Sequence, residues 1–167
     1  MTAATKSSFI LVVFAGLTSA WGADSVDISA CEVAGIKLGD TSAHVRTLLG
    51  EPTGHNGPCN GCIDQPQTWI SYDGLRVDFI QSETVHIEVE SDAYRLTTGV
   101  GVGSTKAEVV AAYGDPLVSE QKAGEFLTYA ITLRNGIRTG HTLDFLIQDG
   151  VVIGFKVGPK RTGSRYP

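Results

Sequence analysis

Gly35-Ile36-Lys37-Leu38-Gly39-Asp40-Thr41-Ser42-Ala43-His44-Val45-Arg46-Thr47-Leu48-Leu49-Gly50-Glu51-Pro52 lies 64 positions ahead of Gly99-Val100-Gly101-Val102-Gly103-Ser104-Thr105-Lys106-Ala107-Glu108-Val109-Val110-Ala111-Ala112-Tyr113-Gly114-Asp115-Pro116, and the two stretches share seven of eighteen residues. Internal similarity of this kind governs how the remaining sequence is read, because a repeat sets architecture before any motif does. Thr41 and Thr105 stand where a helix N-cap belongs; Glu108, three residues on, completes a capping box that His44 leaves open. Val45, Leu48 and Leu49, matched by Val109, Ala112 and Tyr113, fall at i, i+3 and i+4 and form one stripe to bury. Gly50 and Gly114 suit the left-handed residue after a helix, and Pro52 and Pro116 keep the helix from continuing.

Further on, a second correspondence runs at an offset of 66, where Gly74, Asp78, Phe79, Val85 and Ile87 meet identical Gly140, Asp144, Phe145, Val151 and Ile153. Leu75/Val77/Phe79, Val85/Ile87/Val89 and Leu127/Tyr129/Ile131/Leu133 alternate with the period of half-buried strands. Asp73-Gly74, Asn135-Gly136 and Asp149-Gly150 supply the turns. The expected fold is α+β: two tandem repeats, 35–98 and 99–158, each a helix plus a three-stranded antiparallel sheet, with the helices on one face. Arg76, Asp78, His86, Glu88 and Glu90, with Thr142, Asp144 and Lys156, then fall on the opposite face. Two such sheets side by side would offer a broad, shallow platform of mixed polarity to another macromolecule.

The ends carry different information. Lys6 precedes an uncharged run whose apolar centre, Phe9 to Leu17, is nine residues long, short of the roughly 20 that a membrane-spanning helix needs. Small residues follow, so 1–23 reads as a removable secretory signal cut near residues 20–23, ahead of a lead segment 24–34. Ile28-Ser29-Ala30-Cys31 has the shape of a lipidation signal, but Asp24 and Asp27 separate it from the apolar run. Residues 159–167 form a basic tail without apolar period. Across all 167 residues the formal charge is -5, which argues against a nucleic-acid partner held by a basic stripe.

The paired Gly-x-Ser/Thr-x-x-x-Val-x-x-x-x-Gly pattern, carried here by Gly39, Thr41, Val45 and Gly50 and again by Gly103, Thr105, Val109 and Gly114, resembles the tandem repeat of the β-lactamase inhibitor protein family. It is also similar to the single copy in the small outer-membrane lipoprotein of the β-barrel assembly machinery. The resemblance covers about Gly35 to Val157 and implies an exported, non-enzymatic binding protein that uses its sheet surface. It does not imply β-lactamase as the target: the inhibitor has a disulfide after each helix, whereas this chain has the Cys59/Cys62 pair after its first helix alone. The motif is built of structural residues, and a fold does not by itself carry a function.

Conventional chemistry has few candidates. Cys31, Cys59 and Cys62 are the disulfide candidates, with the pairing open and one thiol left over. A redox role for Cys59-Asn60-Gly61-Cys62 lacks the helix N-terminus that stabilises a thiolate. Zinc held by His55, Cys59, Cys62 and Asp64 lacks the second Cys or His pair of a small structural site. Gly99 to Lys106 has the order Ser-Thr-Lys where a phosphate loop needs Gly-Lys-Ser/Thr. His44, His55, His86 and His141 are scattered, and neither a nucleophile elbow nor a paired zinc motif is present. The sequence therefore points to an exported protein-binding or envelope-associated factor without catalytic residues, cofactor or metal. The second reading is a thiol-redox or metal-binding protein centred on the Cys59/Cys62 loop.

Overall fold

A computed structural model describes residues 25–56 and 67–160. Along these residues run β1 (Ser25–Asp27), α1 (Ser42–Leu49), β2 (Gly54–Asn56), β3 (Gln67–Tyr72), β4 (Leu75–Ile80), β5 (Glu83–Val89), α2 (Lys106–Tyr113), β6 (Leu117–Gln121), β7 (Gly124–Thr132), β8 (Arg138–Gln148) and β9 (Val151–Pro159). All nine described strands join one sheet in the order β1-β7-β8-β9-β5-β4-β3-β2, with β6 also on β7. β1 runs parallel to β7, and the remaining pairs are antiparallel.

This overturns the expected pair of helix-plus-three-strand repeats. The chain builds one large mixed sheet with two short helices beside it. Three strands escaped the hydrophobic pattern for physical reasons. β1 and β2 are three residues long, below the length at which alternation registers. β6, Leu117-Val118-Ser119-Glu120-Gln121, is exposed along its whole length and so has no buried period. Its role is to pair part of the β7 edge, whose N–H and C=O groups need partners. The sheet is joined at its centre by β5 and β9, where Ile87 faces Val157, Glu88 faces Lys156 and Val89 faces Phe155.

One side of the sheet is the core. Leu75, Val77, Phe79, Ile87, Val89, Leu127, Tyr129, Ile131, Leu143, Phe145 and Val157 bury there with Val45 of α1 and Val109 of α2. Each helix has eight residues, fewer than the roughly 12–15 at which an isolated helix becomes even marginal in water. They are therefore held by packing and by ties at both ends. At the N-termini, Thr41 Oγ1 accepts from the His44 N–H, and Thr105 forms the expected capping box with Glu108. At the C-termini, the Tyr72 hydroxyl donates to the Gly50 carbonyl at 3.1 Å, and the Tyr129 hydroxyl to that of Gly114 at 3.0 Å. The buried stripe is narrower than its i, i+3, i+4 pattern suggested: Leu48 is 44% exposed and Ala112 is exposed, while Leu49 and Tyr113 pack against the core.

The strand correspondence also shifts. β4 turns into β5 through Gln81 and Ser82, and β8 into β9 through Asp149 and Gly150, all four with positive φ, as a two-residue hairpin turn of the primed kind requires. Each hairpin breaks register once, between Asp78 and Phe79 and between Leu146 and Ile147. Turns and register breaks thus match at an offset of 68, not 66. Asp144 corresponds in space to Arg76, Lys156 to Glu88, Gly154 to His86 and Leu146 to Asp78.

Candidate functional site

Side chains on a strand alternate between faces, so the residues between the core positions point away from both helices. Pairing across the sheet then sets them in rows. Ser71 lies opposite Arg76, Arg76 opposite Glu88, Glu88 opposite Lys156, Lys156 opposite Asp144 and Asp144 opposite Thr128. Four of the expected face residues, Arg76, Glu88, Lys156 and Asp144, therefore form a single line of alternating charge over β4, β5, β9 and β8. Opposite charges directly across a ladder contribute about 0.2–1 kcal/mol each, and they also fix register, since a one-residue slip would send every one of them to the core side.

Two hydrogen-bonded groups lie on this face. On β4 and β5, Arg76 Nε donates to Asp78 Oδ1 at 2.8 Å and His86 Nδ1 donates to Asp78 Oδ2 at 3.1 Å. The Arg76 guanidinium also lies 5.0 Å from the centre of the Trp69 ring, within the range of a cation–π contact. Burial pushes the Asp78 carboxyl up, but the hydrogen bonds from His86 and Arg76 outweigh it and hold the group below its ordinary value. On β7, β8 and β9, the Thr128 and Thr142 hydroxyls donate to Asp144 at 2.6 and 2.9 Å, and Lys156 Nζ lies 3.4 Å from it. Asp144 is 6% exposed. Glycine makes room between the two groups: a Cβ on Gly158 would stand 2.6 Å from Cδ2 of His86.

Glu90, the last of the expected face residues, stands on β5's exit beside Gly154, at the rim of a cavity of about 240 Å³ that also meets Glu88, Phe126, Asp144, Leu146 and Lys156. A second cavity of about 330 Å³ opens on the other side of Glu88 and Glu90, toward Ser71 and Arg76. The sequence reading missed Trp69, Phe126, Thr128 and Leu146 on this face. Each alternates with core residues of its own strand, but an apolar or neutral side chain on an open face leaves no charge signal to mark it.

The other expectations fare differently. Cys31 is a buried free thiol, pushed up to about 12 by burial and by the charge of Asp27. Cleavage ahead of it, as lipidation requires, would remove β1 and its pairing with β7, so the fold gives that reading no support. Cys59, Cys62 and Asp64 lie outside the described residues. His44 stands at the start of α1, 3.9 Å from Asp40; His55 is exposed on β2; Nδ1 of His141 is buried without a partner among the described residues. None of the three is hydrogen-bonded or ion-paired to Asp78 or His86, and the described residues contain no cluster of three or more His, Cys, Asp or Glu side chains that could hold a metal. The glycines from Gly99 to Gly103 serve a bridge between Arg95 and Gly101 and the turn into α2, where Ser104 Oγ accepts from the Gly101 N–H.

No protein-family model and no curated protein matches the chain. Among solved structures, a cysteine-rich secretory protein from Staphylococcus aureus subsp. aureus Mu50 is similar in fold at 10% identity and a TM-score of 0.50, over 82% of this chain and 50% of that one. An extracellular protein containing a SCP domain from Bacillus anthracis str. Ames matches at 9% identity and a TM-score of 0.46, over 95% of this chain and 50% of that one. A candidate beta-lactamase inhibitor protein from Streptococcus mutans matches at 16% identity and a TM-score of 0.29, over 67% of this chain and 78% of that one. The chain spans half the length of the first two.

Proposed function

We propose that this chain is an exported, non-catalytic factor that binds another protein on the open face of its sheet. One observation carries the reading: the face opposite both helices bears the ordered row Arg76, Glu88, Lys156 and Asp144, flanked by Trp69, Phe126 and Leu146, and no described element covers it. Polar groups fixed by their neighbours before binding suit a protein partner, because their ordering cost has already been met in the fold. Opposed charges across such a surface give a partner orientation more than raw affinity. The leader-like segment 1–23 supports export, and the fold likeness to a secretory protein is compatible with it.

Two measurements test this. Intact mass of the exported chain reads out removal of the leader. Affinity capture from envelope extracts compares the wild type with Arg76→Ala/Glu88→Ala and with Glu51→Ala as a control, Glu51 being an exposed residue beyond α1. Capture lost in the double variant and retained in the control supports the platform. Equal capture by all three overturns it.

A further inference from the structure

The cavity above Gly154 has a specific origin. At the matching place on the first hairpin, 68 positions earlier, the side chain is His86, which lies over Gly158 and is held by Asp78. On the second hairpin the residue is Gly154, its neighbour on β8 is Leu146 instead of an aspartate, and beside it, one residue past the end of β5, is Glu90, whose Cγ would stand 3.9 Å from a Cβ at Gly154. The fold thus leaves open on one side a space that it fills with its own imidazole on the other, and the open space measures about 240 Å³.

Its walls are unlike one another. Phe126 and Leu146 form an apolar side, and Glu88 and Glu90 form an acidic side. Lys156 and Asp144, also in the lining, lie 3.4 Å apart and largely cancel. The Glu90 carboxylate makes no hydrogen bond or ion pair with any described residue. An occupant must be apolar along its length and cationic at one end: an acidic group would meet Glu88 and Glu90, and a purely apolar one would strip water from carboxylates without replacing it. The neighbouring cavity shares the same glutamates but contains Arg76, which repels a cation approaching from that side.

We infer that this cavity receives an arginine or lysine side chain of the docked protein, its stem on Phe126 and Leu146 and its charged head on Glu90. The inference rests on the platform reading and names the residue type that the platform selects. Long basic side chains have this split character, an aliphatic stem behind a charged tip, and a guanidinium adds contact with an aromatic ring.

The test is a titration of the isotope-labelled chain with blocked single amino acids, N-acetyl methylamides of arginine, lysine, citrulline and leucine, followed by amide NMR shifts. Arginine and lysine are expected to move the amides of Glu90, Leu146 and Gly154 saturably. Citrulline, isosteric with arginine but uncharged, should bind about tenfold more weakly, and Glu90→Gln should weaken arginine binding by about the same factor, as loss of a hydrogen bond to a charged group does. Equal binding of arginine and citrulline, shifts confined to other parts of the sheet, or no saturable shift overturns the inference. Capture in the Glu90→Gln background separates this failure from that of the platform. If Arg76→Ala/Glu88→Ala abolishes capture and Glu90→Gln leaves it intact, the cavity assignment falls and the platform stands. If blocked arginine saturates the site while capture ignores the Arg76/Glu88 change, the cavity stands and the platform falls.

Discussion

Asp144 is the position at which the open face is most exposed to a stability test. Its carboxylate, 6% exposed, accepts from Thr128 at 2.6 Å and Thr142 at 2.9 Å and lies 3.4 Å from Lys156. Asp144→Ala removes both acceptor oxygens and leaves the Thr142 hydroxyl, itself in a residue 5% exposed, to find a new partner. Breaking a buried charged pair costs about 3–5 kcal/mol. Lys156 keeps Glu88 across the ladder, so the lower end applies, about 3 kcal/mol. For a chain of this size that lowers the thermal midpoint by about 6–12 °C. Asp144→Asn keeps the shape and can accept one hydroxyl while donating to the other, so its cost should be about 1 kcal/mol. Urea unfolding followed by circular dichroism reads both, and the midpoint should move without a change of slope. An alanine variant within about 0.5 kcal/mol of wild type, or an asparagine variant as damaged as the alanine one, would refute the idea that this carboxylate is a fixed, partnered element of the face.

Asp78 gives a pH signature. Its carboxyl is held below the ordinary 3.8, so it contributes stability that is complete above that value and is lost as the pH falls through the lowered one. The gap between wild type and Asp78→Asn should shrink as the pH falls below about 4; a gap unchanged into strong acid contradicts this. Cys31 should resist a maleimide in the native chain and react once urea exposes it, since a thiol pushed up to about 12 has almost no thiolate at neutral pH; native labelling at Cys31, located by peptide mass, would count against its burial. Gly158→Ala puts a methyl 2.6 Å from Cδ2 of His86 and should displace the imidazole from Asp78, destabilising by about 1–3 kcal/mol as overpacking does; an unchanged His86 ring resonance would show that the contact is not as close as described. Thr105→Ala, which opens the capping box, should cost about 1 kcal/mol, measured by the same urea titration; a loss near zero would mean that α2 is held by packing alone.

What could be read from the sequence depended on how each signal is generated. The helix ends were legible because their chemistry is local: Thr41 and Thr105 cap, and Gly50 and Gly114 take positive φ of 81° and 82°, although with ψ of -159° and -163° they adopt an extended glycine conformation and not the left-handed helical one expected. The core faces of β4, β5 and β7 were legible in Leu75/Val77/Phe79, Ile87/Val89 and Leu127/Tyr129/Ile131, because burial imposes a period of two. The assembly was not, because the join between β5 and β9 is a long-range pairing, and β1, β2 and β6 exist to complete the edges of other strands. Cys31 was ambiguous for a related reason: Ile28-Ser29-Ala30-Cys31 has the shape of a processing signal, and the same four residues form a helical turn whose cysteine packs on the core.

The strand offset shows how far a correct face can coexist with an incorrect neighbour. Sliding a strand by two residues preserves inward and outward positions as long as the strand is regular, so offsets of 66 and 68 agree on the face of Asp144 in β8 but part beyond the register break, where 66 would make Ile153, 39% exposed, the counterpart of the core residue Ile87. The pairings they imply differ. At 66, Asp78 would be matched by Asp144, Arg76 by Thr142 and Glu88 by Gly154, and no consistent relation of sign would link the two halves of the row. At 68, Arg76 corresponds to Asp144 and Glu88 to Lys156, so the second hairpin carries the opposite sign at each step of the row. Reversal of sign between corresponding strands is what turns two similar edges into one attractive seam: Glu88 meets its own counterpart, Lys156, directly across the centre of the sheet. With Glu88 on both sides, or Lys156 on both, that central pair would repel. The charges on this face therefore have a structural task at the seam besides orienting a partner, and the cationic occupant of the cavity is selected by what the seam leaves unmatched. Glu90, one step beyond the row and without an opposite charge, is the residue that answers to that description.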